Sequence, residues 1–291
     1  MRKAIAMTLA ATLSVQLGSA VAKGLFPLAG PLAIVWLRIT TAAVILTVVT
    51  RPGWRGHGRR DWLVLGGYAL ALIGMNITFY QAIARIPVGL AVTIEFLGPM
   101  TVAVVKNRGV RDLIWVGLAA IGVALLGGAP QSLTLAGVGW ALASAACWGA
   151  YILISPPVGA RWKGAQPVAW ATIAGSLVLL GPTLATSATV LANPMVWLVG
   201  AGVGLLSSVL PYGLELAALR TLDQAVFSIM MSIEPAVAAA WAWLLLREHL
   251  SATDLVAMAC VITASVGITW STARRTRRTR GTIEPIEEMT P

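Results

Sequence analysis

The chain has 291 residues, of which 58% are hydrophobic and 11% charged, and its formal net charge is +10. Soluble domains carry about 25% charged residues, so this composition excludes a water-soluble globule and predicts a polytopic membrane protein. The positive charge does not indicate nucleic-acid binding, because the basic residues lie between apolar segments without aromatic interleaving.

Ten stretches are apolar enough to cross a bilayer as helices, which takes about 20 residues each. In chain order they are 4–22, 31–50, 62–84, 87–105, 112–128, 135–154, 166–185, 196–219, 223–246 and 253–272. The first, which follows Arg2-Lys3, also resembles a secretory signal. Because the repeat described below requires it, we expect it to be the first spanning helix.

The distribution of Lys and Arg predicts the orientation. Of the 21 basic residues, 17 lie in connections or tails on the side of the N-terminus, three on the other side and Arg38 within a span. Basic residues favour the cytoplasmic side, so both termini are expected to be cytoplasmic.

The two halves show a weak internal repeat. Aligning Ala82–Arg85 with Ala217–Arg220 brings Pro99 within one residue of Pro235, and Asp112 matches Asp254 at the start of each half's last helix. Five spans per half require the second copy to be inverted, a common plan for transporters. The predicted units are a first repeat (1–130), a second, inverted repeat (131–272) and a disordered cytoplasmic tail (273–291), whose arginines are expected to lie on anionic lipid.

Two apolar segments, in corresponding parts of the two halves, contain a glutamate followed by a proline. Glu95 precedes Pro99 by four residues, and Glu234 directly precedes Pro235. A buried acid is costly in a membrane, and a proline frees a backbone carbonyl. The pattern predicts two broken helices that meet at a substrate site, with the prolines as hinges.

Four ionisable residues are expected at spanning depth: Arg38, Glu95, Glu215 and Glu234. Three acids face one base, and desolvation disfavours unpaired charge, so at least one glutamate is expected to bind a proton. Each residue has a structural alternative. The glutamates would be hydrogen-bond partners at helix breaks, Glu215 would pair with Arg220, and Arg38 would pair with a glutamate instead of a substrate carboxylate.

Further polar residues recur at helical spacing and are expected to face the bundle interior. These stripes are Gln16, Ser19 and Lys23; Asn76 and Tyr80; Ser144, Cys147 and Tyr151; and Ser208, Tyr212 and Glu215. Hydrogen bonds between helices would explain many of them. Trp148, with Met230 or Met231, is either an apolar wall for a substrate or ordinary packing.

The chain contains no nucleotide-binding, hydrolase or metalloprotease motif, and its two cysteines have no CxxC spacing. No cofactor and no metal are expected. Without a nucleotide-binding module, uphill transport would use an ion gradient, and buried carboxylates favour the proton.

At these residues the chain resembles the drug/metabolite transporter superfamily of EamA type, specifically its threonine/homoserine exporter branch. The resemblance covers about residues 4–272. Its most specific parts are Ala22–Pro27, Trp36–Arg38, the stretch from Gly74 through Pro99, Cys147–Tyr151, Leu210–Glu215 and Met231–Pro235. It implies a ten-helix, inverted-repeat fold in a bacterial inner membrane and export of small amino acids.

The resulting hypothesis is a proton-coupled exporter of a small zwitterionic amino acid that works by alternating access. The predicted site residues are Glu95, Glu234, Arg38, Asn76, Tyr80, Glu215, Trp148, Tyr151, Tyr212 and Gln16, with hinges at Pro99 and Pro235. One alternative is a broader drug or metabolite exporter. Another is a membrane-embedded enzyme acting on lipid-linked substrates.

Overall fold

The structure, a computed structural model, describes residues 2–107, 112–126 and 133–287. All regular structure in these ranges is helical. The helices are α1 (Arg2–Gly24), α2 (Phe26–Thr50), α3 (Arg59–Ile83), α4 (Val88–Glu95), α5 (Leu97–Asn107), α6 (Asp112–Leu126), α7 (Leu135–Gly159), α8 (Gln166–Leu191), α9 (Pro194–Gly204), a π-helical turn (Leu205–Val209), α10 (Leu210–Leu219), α11 (Gln224–Met231), α12 (Glu234–Leu246) and α13 (Ala252–Glu287).

These helices form ten apolar segments. Within the described ranges, nine segments have the length and composition to cross a membrane, and another, Leu113–Leu125, is apolar but shorter. Three of the nine combine consecutive helices: α4 with α5, α9 with α10 through the π turn, and α11 with α12. The all-α polytopic fold is confirmed, and the segments follow the predicted order.

Several helix starts follow directly from local sequence. Thr134 caps α7 by accepting a hydrogen bond from the Gly137 N–H (3.0 Å), and Asn193 caps α9 in the same way through Met195 (2.9 Å). In α2, Gly30 has φ +72°, a conformation that only glycine adopts readily. It kinks the helix directly before Pro31, where the sequence analysis starts the second span.

Both predicted helix breaks are present. The break between α4 and α5 falls at Phe96, and the break between α11 and α12 falls at Ser232 and Ile233. Each proline therefore lies in the first turn of the helix that follows the break. A proline is tolerated there because the first N–H groups of a helix have no partner within the helix.

Contacts between helices have counterparts in the other half. When each helix is replaced by the corresponding helix of the other half, one contact becomes another. Helix α3 packs on α7, as α10 packs on α1; α3 packs on α8, as α9 packs on α2; and α5 packs on α7, as α12 packs on α1. Two further contacts map onto themselves: α2 with α8, and α6 with α13. This pattern supports an inverted repeat. The boundary at residue 130 lies outside the described residues and stays a prediction.

The first break is held against α7 by close backbone packing. A side-chain carbon on Gly98 would overlap the Ala145 carbonyl oxygen, so only glycine permits this approach. Ala141, Ala145 and Gly149 are buried on the facing side of α7. This contact places Glu95 beside the polar stripe of α7.

Helix α13 continues to Glu287, into the tail from residue 273 that the sequence predicts to be disordered. A helix satisfies its own backbone hydrogen bonds, so it can continue without an apolar face. An isolated polar helix of this length is marginal in water, and disorder of the tail stays a prediction.

Candidate functional site

The first acid, Glu95, ends α4 and is held by α7. Its Oε1 accepts a short hydrogen bond from the Ser144 hydroxyl. The same hydroxyl lies 3.2 Å from the Met75 carbonyl oxygen of α3. Glu95 also interacts electrostatically with Arg38. This acid therefore has both a hydrogen-bond donor and a nearby positive charge.

The second acid, Glu234, begins α12 and is 7% exposed. Its Oε2 accepts a hydrogen bond of 3.3 Å from the Gln16 amide of α1. The acids Glu95 and Glu215 both act on Glu234 electrostatically, and no basic group does so among the described residues. Glu234 thus lies in an environment that penalises its negative charge.

Gln16 contributes an unused acceptor. It is 4% exposed, and its Oε1 is buried without a hydrogen-bond partner among the described residues. A buried acceptor without a partner is costly unless a ligand, a proton or a water satisfies it. The Gln16 Oε1 atom is therefore available to accept a hydrogen bond from a ligand beside Glu234.

The buried base, Arg38 of α2, is 7% exposed and is held by neutral groups. Its guanidinium donates to the Ser208 hydroxyl (3.0 Å), the Ser207 carbonyl (2.9 Å) and the Tyr80 hydroxyl (3.4 Å). The two ion pairs among the described residues are Lys23–Glu248 and Arg161–Asp61, so Arg38 has no acid within 4.0 Å. A guanidinium has five N–H donors, and two remain free here.

The two predicted site residues of α3, Tyr80 and Asn76, have different hydrogen-bond partners. Tyr80 is fully buried and contacts Arg38 through its hydroxyl and its ring face, which lies 5.5 Å from the guanidinium carbon. Asn76 is also buried, but its amide donates to the Leu72 carbonyl of its own helix (2.8 Å). The structure therefore brings Tyr80 to the base and leaves the Asn76 donor in its own helix.

Trp148 lies beside the first break. It packs edge-on against Phe96 with ring centroids 5.2 Å apart. Met230 packs in a separate cluster with Ala4 and Leu222, and Met231 accepts a hydrogen bond from Thr12. The structure does not join Trp148 and the methionines in one wall, so packing accounts for them.

Tyr151, Tyr212 and Glu215 line a cavity of about 260 Å³ at the end of the bundle that carries the α7–α8 connection. Tyr68 of α3 lies on the same cavity, and its hydroxyl donates to that of Tyr151 (3.1 Å). Glu215 and Arg220 form no ion pair. The sequence analysis missed Tyr68, because it falls outside the Asn76–Tyr80 stripe.

The opposite end of the bundle carries an ion pair that was not among the predicted contacts. Lys23 Nζ lies 2.5 Å from Glu248 Oε1 and donates to the Ile86 carbonyl (2.8 Å). Glu248 Oε2 accepts from the Val88 N–H at the start of α4 (2.9 Å). The sequence could have indicated this ion pair, because charged residues are rare on the side predicted to face outward.

A model of the EamA-like transporter family matches residues 135–270. The threonine/homoserine exporter RhtA of Salmonella typhimurium (strain SL1344) is 35% identical over 273 residues, covering 93% of this chain and 92% of that protein. The chain belongs to the EamA-like transporter family. The Escherichia coli (strain K12) threonine/homoserine exporter RhtA is 34% identical over 276 residues, covering 94% of this chain and 93% of the relative.

The family and its named relatives confirm the predicted branch of EamA transporters, and they are exporters, not enzymes. One crystal structure, described only as that of a protein, aligns with a TM-score of 0.63 and 17% identity over 93% of this chain and 98% of the other. At that identity the likeness shows the fold alone. This EamA transporter is a multi-pass membrane protein.

Proposed function

We propose that this EamA transporter exports a small zwitterionic amino acid, threonine- or homoserine-like, from the bacterial cytoplasm in exchange for protons. The observation that carries the proposal is a buried base with no acid within 4.0 Å, Arg38, in the same bundle as a buried acid with no base acting on it among the described residues, Glu234. A zwitterion supplies the missing partner to each. The names of the relatives support the substrate class.

Arg38 is proposed to bind the substrate carboxylate. Its two free N–H groups match the two oxygens of a carboxylate, a geometry in which arginine binds strongly. Contacts with Ser207, Ser208 and Tyr80 fix the guanidinium plane. The π-helical turn that carries both serines therefore acts as a support for the binding group, and π turns are frequent at functional sites.

Glu234 is proposed to bind either a proton or the substrate ammonium, but not both. In the empty site, a bound proton would balance the charge of this buried carboxylate, which has no ion-pair partner among the described residues. The ammonium of an arriving substrate would stabilise the ionised Glu234 carboxylate. The N-terminus of α12 also favours an anion at this position. Substrate binding would thus release a proton, which couples export of the substrate to proton uptake.

Alternating access is proposed to use the two ends of the bundle. The cavity beside Glu215 opens on the side predicted to be cytoplasmic, while Lys23 and Glu248 close the other side. This arrangement corresponds to an inward-open state in the bacterial inner membrane, with both termini cytoplasmic. Rocking of one repeat against the other, with bending at Pro99 and Pro235, would expose the site to the outside.

Counterflow in proteoliposomes tests the proposal. Vesicles preloaded with unlabelled threonine should accumulate labelled threonine and homoserine, and an inward-directed pH gradient should drive net exchange. Arg38→Lys keeps the charge but loses the fork geometry, and we expect it to lower transport about 10- to 100-fold. Exchange of organic cations but of no amino acid would contradict the proposed substrate class.

A further inference from the structure

The cavity that contains Glu215 lies nearer the inner end of the bundle than the Arg38 site. Glu215 is four residues from the end of α10, about 6 Å along the helix, and Tyr151 is eight residues from the end of α7, about 12 Å. Arg38 is twelve residues from the end of α2, about 18 Å. Arg38 donates to Ser208, which precedes Glu215 by seven residues of the same span, about 10 Å along the helix. The ammonium and carboxylate of an α-amino acid are bonded to one carbon atom and lie much closer together than this.

The cavity has its own pair of groups that match a zwitterion. Glu215 is half-buried and forms no hydrogen bond or ion pair among the described residues. Tyr68 donates its hydroxyl proton to the Tyr151 oxygen, so the Tyr151 proton stays available to a ligand. Tyr151 and Tyr212 also line this cavity, and an aromatic ring can attract an ammonium group through its face.

We infer that this cavity is an entry site, which binds the amino-acid substrate from the cytoplasm before it moves to Arg38 and Glu234. The Glu215 carboxylate binds the ammonium, and the Tyr151 hydroxyl donates to the carboxylate. The inference rests on the proposed function, since it concerns the same substrate. It makes one additional claim, namely that two substrate molecules bind one protein at the same time.

Equilibrium binding of labelled threonine to the purified, full-length protein tests this claim, with concentrations extended into the millimolar range. The wild type should bind two equivalents. Glu215→Gln should weaken one site about tenfold or more, the effect of losing a charged hydrogen bond, and retain binding at the other. Arg38→Lys should weaken the other site and leave the first.

A matched control is Thr172→Val. This buried hydroxyl donates to the Val168 carbonyl of its own helix (2.9 Å) and does not line the cavity, so the variant should bind two equivalents like the wild type. N-acetylthreonine, which lacks the ammonium, should not compete at the entry site. The central site that remains in Glu215→Gln reports that the variant is folded.

Two results would overturn the inference, and they are distinguishable. One equivalent in the wild type, unchanged in Glu215→Gln and weakened in Arg38→Lys, would remove the entry site and leave the proposed function standing. No binding of any amino acid to the wild type, in a preparation that remains monodisperse, would contradict both.

Discussion

The two broken spans carry the same residue types but place their acids in different electrostatic surroundings. Glu95 ends its first half-helix, accepts a hydrogen bond from Ser144 and lies within the field of Arg38. Glu234 begins its second half-helix, accepts from an amide and has two acids but no base around it. Two similar carboxylates at corresponding breaks can therefore take two different tasks.

The difference begins in the sequence. When the two spans are aligned on their prolines, Gly98 matches Glu234 and Met231 matches Glu95. The glycine allows α7 to approach the first break, which brings Ser144 to Glu95. The second break has a carboxylate at that position instead, and it faces Gln16 of α1. We expect Glu95 to balance the charge of Arg38 and Glu234 to exchange its proton.

The largest expected effect comes from neutralising each acid separately. Glu234→Gln should abolish the pH dependence of exchange and lower transport about 10- to 100-fold, because it removes both the proton carrier and the partner of the ammonium. Glu95→Gln should transport less but keep its pH dependence. Counterflow at two pH values measures both. The opposite pattern would reverse the proposed roles of the acids.

The next effect concerns the close packing of the first break. Gly98→Ala should destabilise the protein by about 1–3 kcal/mol, the usual cost of overpacking, because the added carbon meets the α7 backbone. Gly117→Ala is the control, since an added carbon there meets no atom within 4 Å. Thermal unfolding in detergent compares the two. Equal melting temperatures would show that the break is not held by this contact.

The hydrogen-bond partners of the two acids should differ in their influence on coupling. Gln16→Met removes the donor to Glu234, so the charged form is less stable and the pH midpoint of exchange should rise by about one unit. Ser144→Ala removes the donor to Glu95 and should leave that midpoint unchanged. The pH profile of counterflow separates them. A shift in Ser144→Ala alone would assign the exchanged proton to Glu95.

The smallest expected effect lies at the closed end of the bundle, where Glu248 holds the start of the first broken span. Lys23→Met should cost about 1 kcal/mol, since the pair is partly exposed. It should shift the protein toward the outward-open state by several-fold. Accessibility of a cysteine placed beside Gln16 to a reagent added outside measures the shift. Unchanged accessibility would show that this ion pair does not gate the outer side.

The sequence predicted more of the fold than of the site. Apolar length alone placed the ten segments, because a helix is the way an isolated segment satisfies its backbone in lipid. Glu95, Glu234 and Arg38 were found because charge at spanning depth is rare. The ion pair of Glu215 with Arg220, one of the two alternatives for Glu215, is not formed in the structure, since spacing along a helix does not fix the direction of two long side chains.

What the sequence determined by itself is the number and order of the segments, the two breaks and the residues that carry charge inside the membrane. All of these follow from local composition and from the missing N–H of proline. Only the tertiary structure decided that Arg38 is held by serines and a tyrosine, that Glu234 faces Gln16, and that Lys23 meets Glu248. These contacts join residues far apart in the chain, and they depend on which helix faces meet.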